Sequence, residues 1–67
     1  MFGMRLKEMR LKKGLTQQQL ADIVGVRDSM ITMIERGTRQ ASAPLAGQLA
    51  EALDVTVDWL IYGDKVS

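Results

Sequence analysis

The 67-residue sequence contains no cysteine and no histidine. Without cysteine there is no disulfide framework and no thiolate metal site. Without histidine the commonest metal ligand and the commonest general base are both missing. No clustered carboxylates and no glycine-rich phosphate loop take their place. Catalysis is therefore not expected, and neither is a metal or a cofactor. Aromatics are scarce, with one Phe, one Trp and one Tyr, and there is a single proline. No run approaches the ~18 apolar residues of a membrane span. Met1–Lys13 alternates charged with apolar side chains rather than showing the apolar core of a secretory signal. The expectation is a soluble, cytoplasmic, non-enzymatic protein with no membrane contact and no evident small-molecule ligand.

What is present fits one small domain spanning residues 1–67. A core of this size is marginal, so regular helix packing or a partner usually supports it. A chain ending at Ser67 is expected to lack a separate oligomerisation domain. The length fits either a complete small protein or the N-terminal part of a longer one. The net charge is only +1, but it is unevenly spread. Residues 1–40 carry eight basic and four acidic side chains, whereas residues 41–67 carry one basic and four acidic. Such asymmetry fits either an ordinary solvated surface or a basic face for a polyanion.

The apolar spacing is helical throughout. Leu6 and Met9 share a face from about Met4 to Lys13, with Arg10 at its edge, and Gly3 argues against a firm helix before Met4. Gly14 ends this helix, and Leu15 packs back. Thr16 with Gln19 forms a Thr-x-x-Gln capping box for a helix over Gln17–Val24. Gly25 permits the left-handed residue that ends it. A third helix follows over about Asp28–Arg36. At ~100° per residue, Ile31 and Ile34 face the core, with Met30 beside them. Ser29, Thr32, Met33 and Arg36 point away from the core. Gly37 ends that helix. Ser42 caps a fourth helix carrying Leu45, Leu49, Ala52 and Leu53, with Pro44 in its first turn. Gly47 weakens that helix or permits close packing against a second subunit. Thr56 caps a short last helix, Val57–Tyr62, ended by Gly63. Its Trp59, Leu60 and Tyr62 are expected mostly to close the core. The predicted fold is all-α, a compact bundle of five helices. Helices two and three are joined at one glycine and must cross steeply, with Ala21 as the small residue where they touch. That is a helix-turn-helix unit.

Five stretches, in this order, carry a resemblance to a known family: RLKEMRLKKGLTQQQLA, the Gly25-Val26 turn, IERG at 34–37, QLAEALDV at 48–55 and VDWLIYG at 57–63. Together they resemble the DNA-binding domain of the lambdoid phage repressor and Cro family, also called the xenobiotic-response-element type. The resemblance covers roughly residues 4–62. It implies a phage or prophage type of transcription regulator. Such a protein binds a double-stranded, palindromic operator as a homodimer, with the third helix in the major groove. An antitoxin-like interaction module, whose main partner is another protein, remains the alternative.

The same resemblance implies roles for individual residues. Arg27, Asp28, Ser29, Thr32 and Met33 are the candidate base readers. Met33 offers apolar contact suited to a thymine methyl, and Arg27 a donor fork suited to guanine. Arg27 departs from the family, which usually has serine or threonine there as a cap. An arginine cannot accept the capping bond. Asp28 then either caps the helix one residue later or accepts from a cytosine amino group. Gln17, with its side chain free at a helix N-terminus, is the expected phosphate contact, joined by Arg10, Lys13, Arg36 and Arg39. Arg10 and Glu35 are expected to form a partly buried pair linking helices. Val57 and Trp59 are expected at the dimer contact.

Overall fold

The computed structural model describes residues 1–65. Among them the chain forms five α-helices: α1 (Phe2–Lys12), α2 (Gln17–Val24), α3 (Asp28–Arg36), α4 (Ala43–Ala52) and α5 (Val57–Tyr62). A 3-10 turn, Gly63–Lys65, follows α5. α3 packs against both α1 and α2, α4 closes over α2, and α5 returns to α1 and α4. Leu6, Leu20, Ile31, Ile34, Leu49, Leu53 and Leu60 meet at the centre, each almost wholly removed from water. Each helix contributes at least one of them, so no single element buries its apolar stripe alone.

Local chemistry sets most of the helix boundaries. The hydroxyl of Thr16 accepts from the Gln19 amide at 3.0 Å, and the Gln19 side chain accepts from the Thr16 amide at 2.8 Å. This reciprocal box satisfies two otherwise orphaned donors. Ser42 and Thr56 cap α4 and α5 by the hydroxyl half of this arrangement alone, accepting from the amides of Leu45 and Trp59. Gly25, at φ 75°, reverses the chain between α2 and α3, and the Val26 amide donates back to the Ala21 carbonyl. Ala21 is fully buried at the crossing. After α4 the reversal falls on Asp54, at φ 58°, where a glycine is more usual. Short polar side chains tolerate this region better than most.

The first helix begins at Phe2, two residues earlier than its sequence pattern suggests. Gly3 is the reason. It is buried inside the first turn of α1, and the space a Cβ would occupy is held by the backbone carbonyls of Ile34 and Glu35. Glycine is here a contact residue that lets α1 rest on the end of α3. Two other expectations for the core need correction, that for Tyr62 in full and that for Trp59 in part, since Trp59 still packs against the core. Tyr62 is 57% exposed. Trp59 is half-buried, its indole N–H donating to Asp64 Oδ1 at 3.0 Å. Leu60 alone of the three lies fully inside. A six-residue helix has one inward face, and Leu60 takes it.

Arg5, unremarked by the periodicity, bridges the chain ends. Its guanidinium donates to the carbonyls of Leu60 at 3.3 Å and Ile61 at 3.1 Å. These carbonyls lie in the last turn of α5, where helical partners run out.

Two glycines in helices make opposite predictions. Gly3→Ala drives a methyl group into backbone carbonyls and is expected to cost about 1–3 kcal/mol. Gly47→Ala meets nothing within 4 Å and is expected to stabilise by about 0.5–1 kcal/mol. Urea unfolding of the two variants measures both signs.

Candidate nucleic-acid interface

The outward side of α3 is built on a buried charge pair. Arg10 Nε donates to Glu35 Oε2 at 2.7 Å, and Nη2 donates to Glu35 Oε1 at 3.1 Å. The two side chains are only 8% and 4% exposed. Arg10 Nη1 donates to the Leu15 carbonyl at 2.8 Å, so the guanidinium also holds the α1–α2 connection. A bidentate pair of this kind fixes orientation as well as distance. It joins α1 to α3 behind the surface that α3 presents.

Gln17 extends this network outward. Its Nε2 donates to Glu35 Oε1 at 3.1 Å, and its Oε1 accepts from the Thr32 hydroxyl at 2.8 Å. The first residue of α2 is thereby tied to two residues of α3 that lie three apart on one edge. The hydroxyl of Thr32 also lies 3.1 Å from the carbonyl of Asp28.

These contacts revise several sequence-level expectations. The Gln17 side chain is not free, because both ends of its amide are engaged on α3. Arg10 cannot serve a phosphate, since it is buried and every nitrogen of its guanidinium is in use within the protein. Asp28 does not cap α3. Arg27 occupies the N-cap position with extended backbone, and no side chain accepts from the first turn. Asp28 instead sits in the first turn, where its charge suits the positive end of the helix dipole. Thr32 and Met33 are half-buried rather than fully outward. Thr32 leans toward Gln17.

Arg27, Asp28, Ser29 and Arg36 are exposed, as are Lys13 and Arg39. Among the described residues none of these cations is held in an ion pair. A polyanion therefore meets them without displacing a carboxylate. Sequence periodicity missed the Gln17 network, although a signal was present. Thr32 and Glu35 are spaced i, i+3, which places them side by side where the start of α2 crosses.

On another part of the surface an open, mainly apolar groove of about 550 Å³ runs between the start of α1, the α3–α4 loop and α5. Its lining includes Phe2, Ile34, Ala46, Val57 and Ile61, with Arg39 at one side. Val57 and Ile61 are one helical turn apart and share a face. Trp59 points elsewhere on α5 and is not part of the lining. The two residues expected at a dimer contact are thus separated by the helix.

Comparison with known proteins agrees with this architecture. A family model described as Helix-turn-helix matches residues 6–60. The P22 c2 repressor, solved in complex with a synthetic operator, superposes with a TM-score of 0.93 at 30% identity, covering 96% of this chain and 97% of that one. The restriction-modification controller protein C.AhdI from Aeromonas hydrophila superposes with a TM-score of 0.82 at 42% identity, covering 88% and 86% of the two chains. An uncharacterized HTH-type transcriptional regulator of Bacillus subtilis (strain 168), YqaE, is 36% identical over 65 residues. That alignment takes in 97% of this chain, which spans 56% of the relative's length. The chain belongs to the helix-turn-helix family of transcriptional regulators, in the form found in lambdoid phage repressors.

The buried pair yields a thermodynamic expectation. Glu35→Ala leaves Arg10 buried without its carboxylate and also removes the acceptor for Gln17. It is expected to destabilise by roughly 3–5 kcal/mol. Replacing Arg10 and Glu35 together by apolar residues of similar volume should cost less than the two single changes summed. Denaturant titration of the four proteins in this cycle gives the coupling, and simple additivity would show that the pair is energetically absent.

Proposed function

We propose that the protein is a sequence-specific double-stranded DNA-binding transcriptional regulator that acts as a repressor. It binds a palindromic operator as a homodimer, with α3 in the major groove. One observation carries this reading. The outward face of α3 is anchored near its C-terminal end by the buried Arg10–Glu35 pair and midway by the Gln17–Thr32 bond, while exposed Arg27 and Arg36, in no ion pair among the described residues, stand at its two ends. Rigid mounting is what base readout needs, because a base-edge hydrogen bond tolerates little displacement. The kinship with P22 c2 repressor, solved on its operator, supports the same assignment.

In this reading Arg27 reaches a guanine edge and Met33 a thymine methyl. Ser29 and Asp28 complete the entering end, Asp28 as an acceptor for a cytosine amino group. Lys13, Arg36 and Arg39 neutralise phosphates, and these contacts set register without carrying sequence information. Gln17 retains one amide hydrogen beyond the one given to Glu35, and that hydrogen serves a phosphate. The apolar groove beside α5 is the surface for the second copy, with Val57 and Ile61 at its centre. Trp59 lies outside that contact. The same groove is the one feature favouring a protein partner of another kind, as in an antitoxin-like module. Co-purification of a second polypeptide with the full chain would give that reading precedence.

Two measurements test the proposal. Binding should weaken steeply with salt, because three phosphate-bound cations per protomer correspond to a log–log slope of about −2.7 per protomer. A flat salt dependence removes the DNA reading. A selected palindrome with half-sites about 34–36 Å apart should bind far more tightly than one isolated half-site. Equal affinity for the two removes the dimer.

A further inference from the structure

The six-residue helix α5 has no basic side chain in its own last turn. A helix so short is held weakly at its end, because its final carbonyls find no partner within it. Arg5 supplies the missing donor from α1. Its Nη1 donates to the Ile61 carbonyl at 3.1 Å and lies 3.3 Å from the Leu60 carbonyl. Its charge also suits the negative end of the helix dipole. Gly63 makes room for this contact. A Cβ at Gly63 would stand 2.6 Å from Arg5 Nε and 2.8 Å from Nη2. The guanidinium thus lies where any other residue at position 63 would carry its side chain. Arg5 is half-buried, and among the described residues it is in no ion pair.

The two carbonyls belong to residues with different duties. Leu60 is wholly inside the core, whereas Ile61 lines the apolar groove together with Val57. Met1, Phe2 and Gly3, at the start of α1, form another wall of that groove. Arg5 follows two residues after Gly3, so its guanidinium clamps one wall to the other. We infer that Arg5 is a positioning residue for self-association, which sets the shape of the groove that receives a second copy of the chain. The inference rests on the dimer reading given above. The margins of the groove suit that occupant. Arg39 stands at one side, and Asp58, exposed, is next to Val57 on α5. A two-fold contact sets a patch against itself, so a patch with both signs of charge complements its own copy. Each protomer brings one Arg5, and the clamp therefore acts twice in a dimer. Arg5 makes no hydrogen bond to α3, whose outward face is anchored separately by Arg10 and Gln17. Loss of the clamp accordingly separates self-association from the binding of one half-site.

The experiment compares the affinity of the full chain for a selected palindrome with its affinity for one isolated half-site. The wild-type protein comes first. If it binds both equally, the dimer reading itself fails, and the role of Arg5 falls with it. Given a palindrome advantage, Arg5→Met keeps the apolar stem and removes the donors. It should leave half-site affinity within about twofold of wild type and lower the palindrome advantage by about tenfold or more, the scale of a charge-assisted hydrogen bond. Arg5→Lys keeps a charged donor and should recover part of the advantage. Gly63→Ala pushes on the guanidinium without changing any charge and should lower the advantage as well. Combined with Arg5→Met, the same alanine should cost less than it does alone. Its backbone strain, at φ 69°, is common to both backgrounds and cancels in the cycle. Additivity of the two changes overturns the inference. So does an Arg5→Met protein that retains the full palindrome advantage, or one that weakens palindrome and half-site alike. Should Arg5→Met fail to fold by circular dichroism, Gly63→Ala decides. Loss of the palindrome advantage with half-site affinity kept supports the inference, and an unchanged advantage overturns it.

Discussion

The Arg10–Glu35 pair is the constraint on which the rest of this domain depends. Two charges taken out of water cost several kcal/mol each, and their mutual attraction offsets that cost only when geometry and further hydrogen bonds are good. Here both conditions are met. The pair is bidentate, Arg10 reaches the Leu15 carbonyl, and Glu35 accepts from Gln17. Hydrocarbon of the same volume could fill this space, but it would specify neither a rotation nor a register. The charged pair fixes α3 against α1 and, through Gln17, against α2. The exposed face of α3 inherits its orientation from chemistry that solvent does not reach.

The same economy explains the weak start of α3. Both α2 and α5 begin with a hydroxyl cap, whereas α3 begins at Arg27 with none. A missing cap typically costs about 1 kcal/mol relative to Ser, Thr, Asn or Asp. At this helix the stabilisation comes instead from Ile31 and Ile34 in the core and from the tie to Gln17. The Met30 amide donates to the Arg27 carbonyl, no side chain accepts from the first turn, and the Arg27 side chain is exposed. Local stability is given up where the proposed function needs unengaged groups.

Much of this was legible in the residues, for identifiable reasons. Capping boxes, left-handed glycines and 3.6-residue periodicity act over a few positions, so Thr16, Gly25, Ile31 and Ser42 announce their roles locally. What escaped depends on contacts across the fold. Gly3 reads as a helix breaker until α3 is seen lying against it. Gln17 reads as a surface amide until Thr32 and Glu35 arrive beside it. Arg10 reads equally as a phosphate ligand and as a buried partner, and only its burial separates the two. Trp59 and Tyr62 are large and apolar, which periodicity over six residues cannot distribute between inside and outside. The site was legible as a face of α3 but not as a network, because hydrogen-bond polarity is a property of three side chains at once.

The Arg5 guanidinium on the last carbonyls of α5 joins residues 55 and 56 positions apart. Closing so long a loop carries an entropic cost that grows only slowly with its length, but it is incurred in full before the contact forms. The first and last helices consequently share one polar tie, beside the separate packing of α1 on α3 and of α5 on α4. A break in that tie leaves the last carbonyls of α5 without the Arg5 donor and α1 without its polar link to α5. A single guanidinium thus makes the condition of one terminal helix felt at the other.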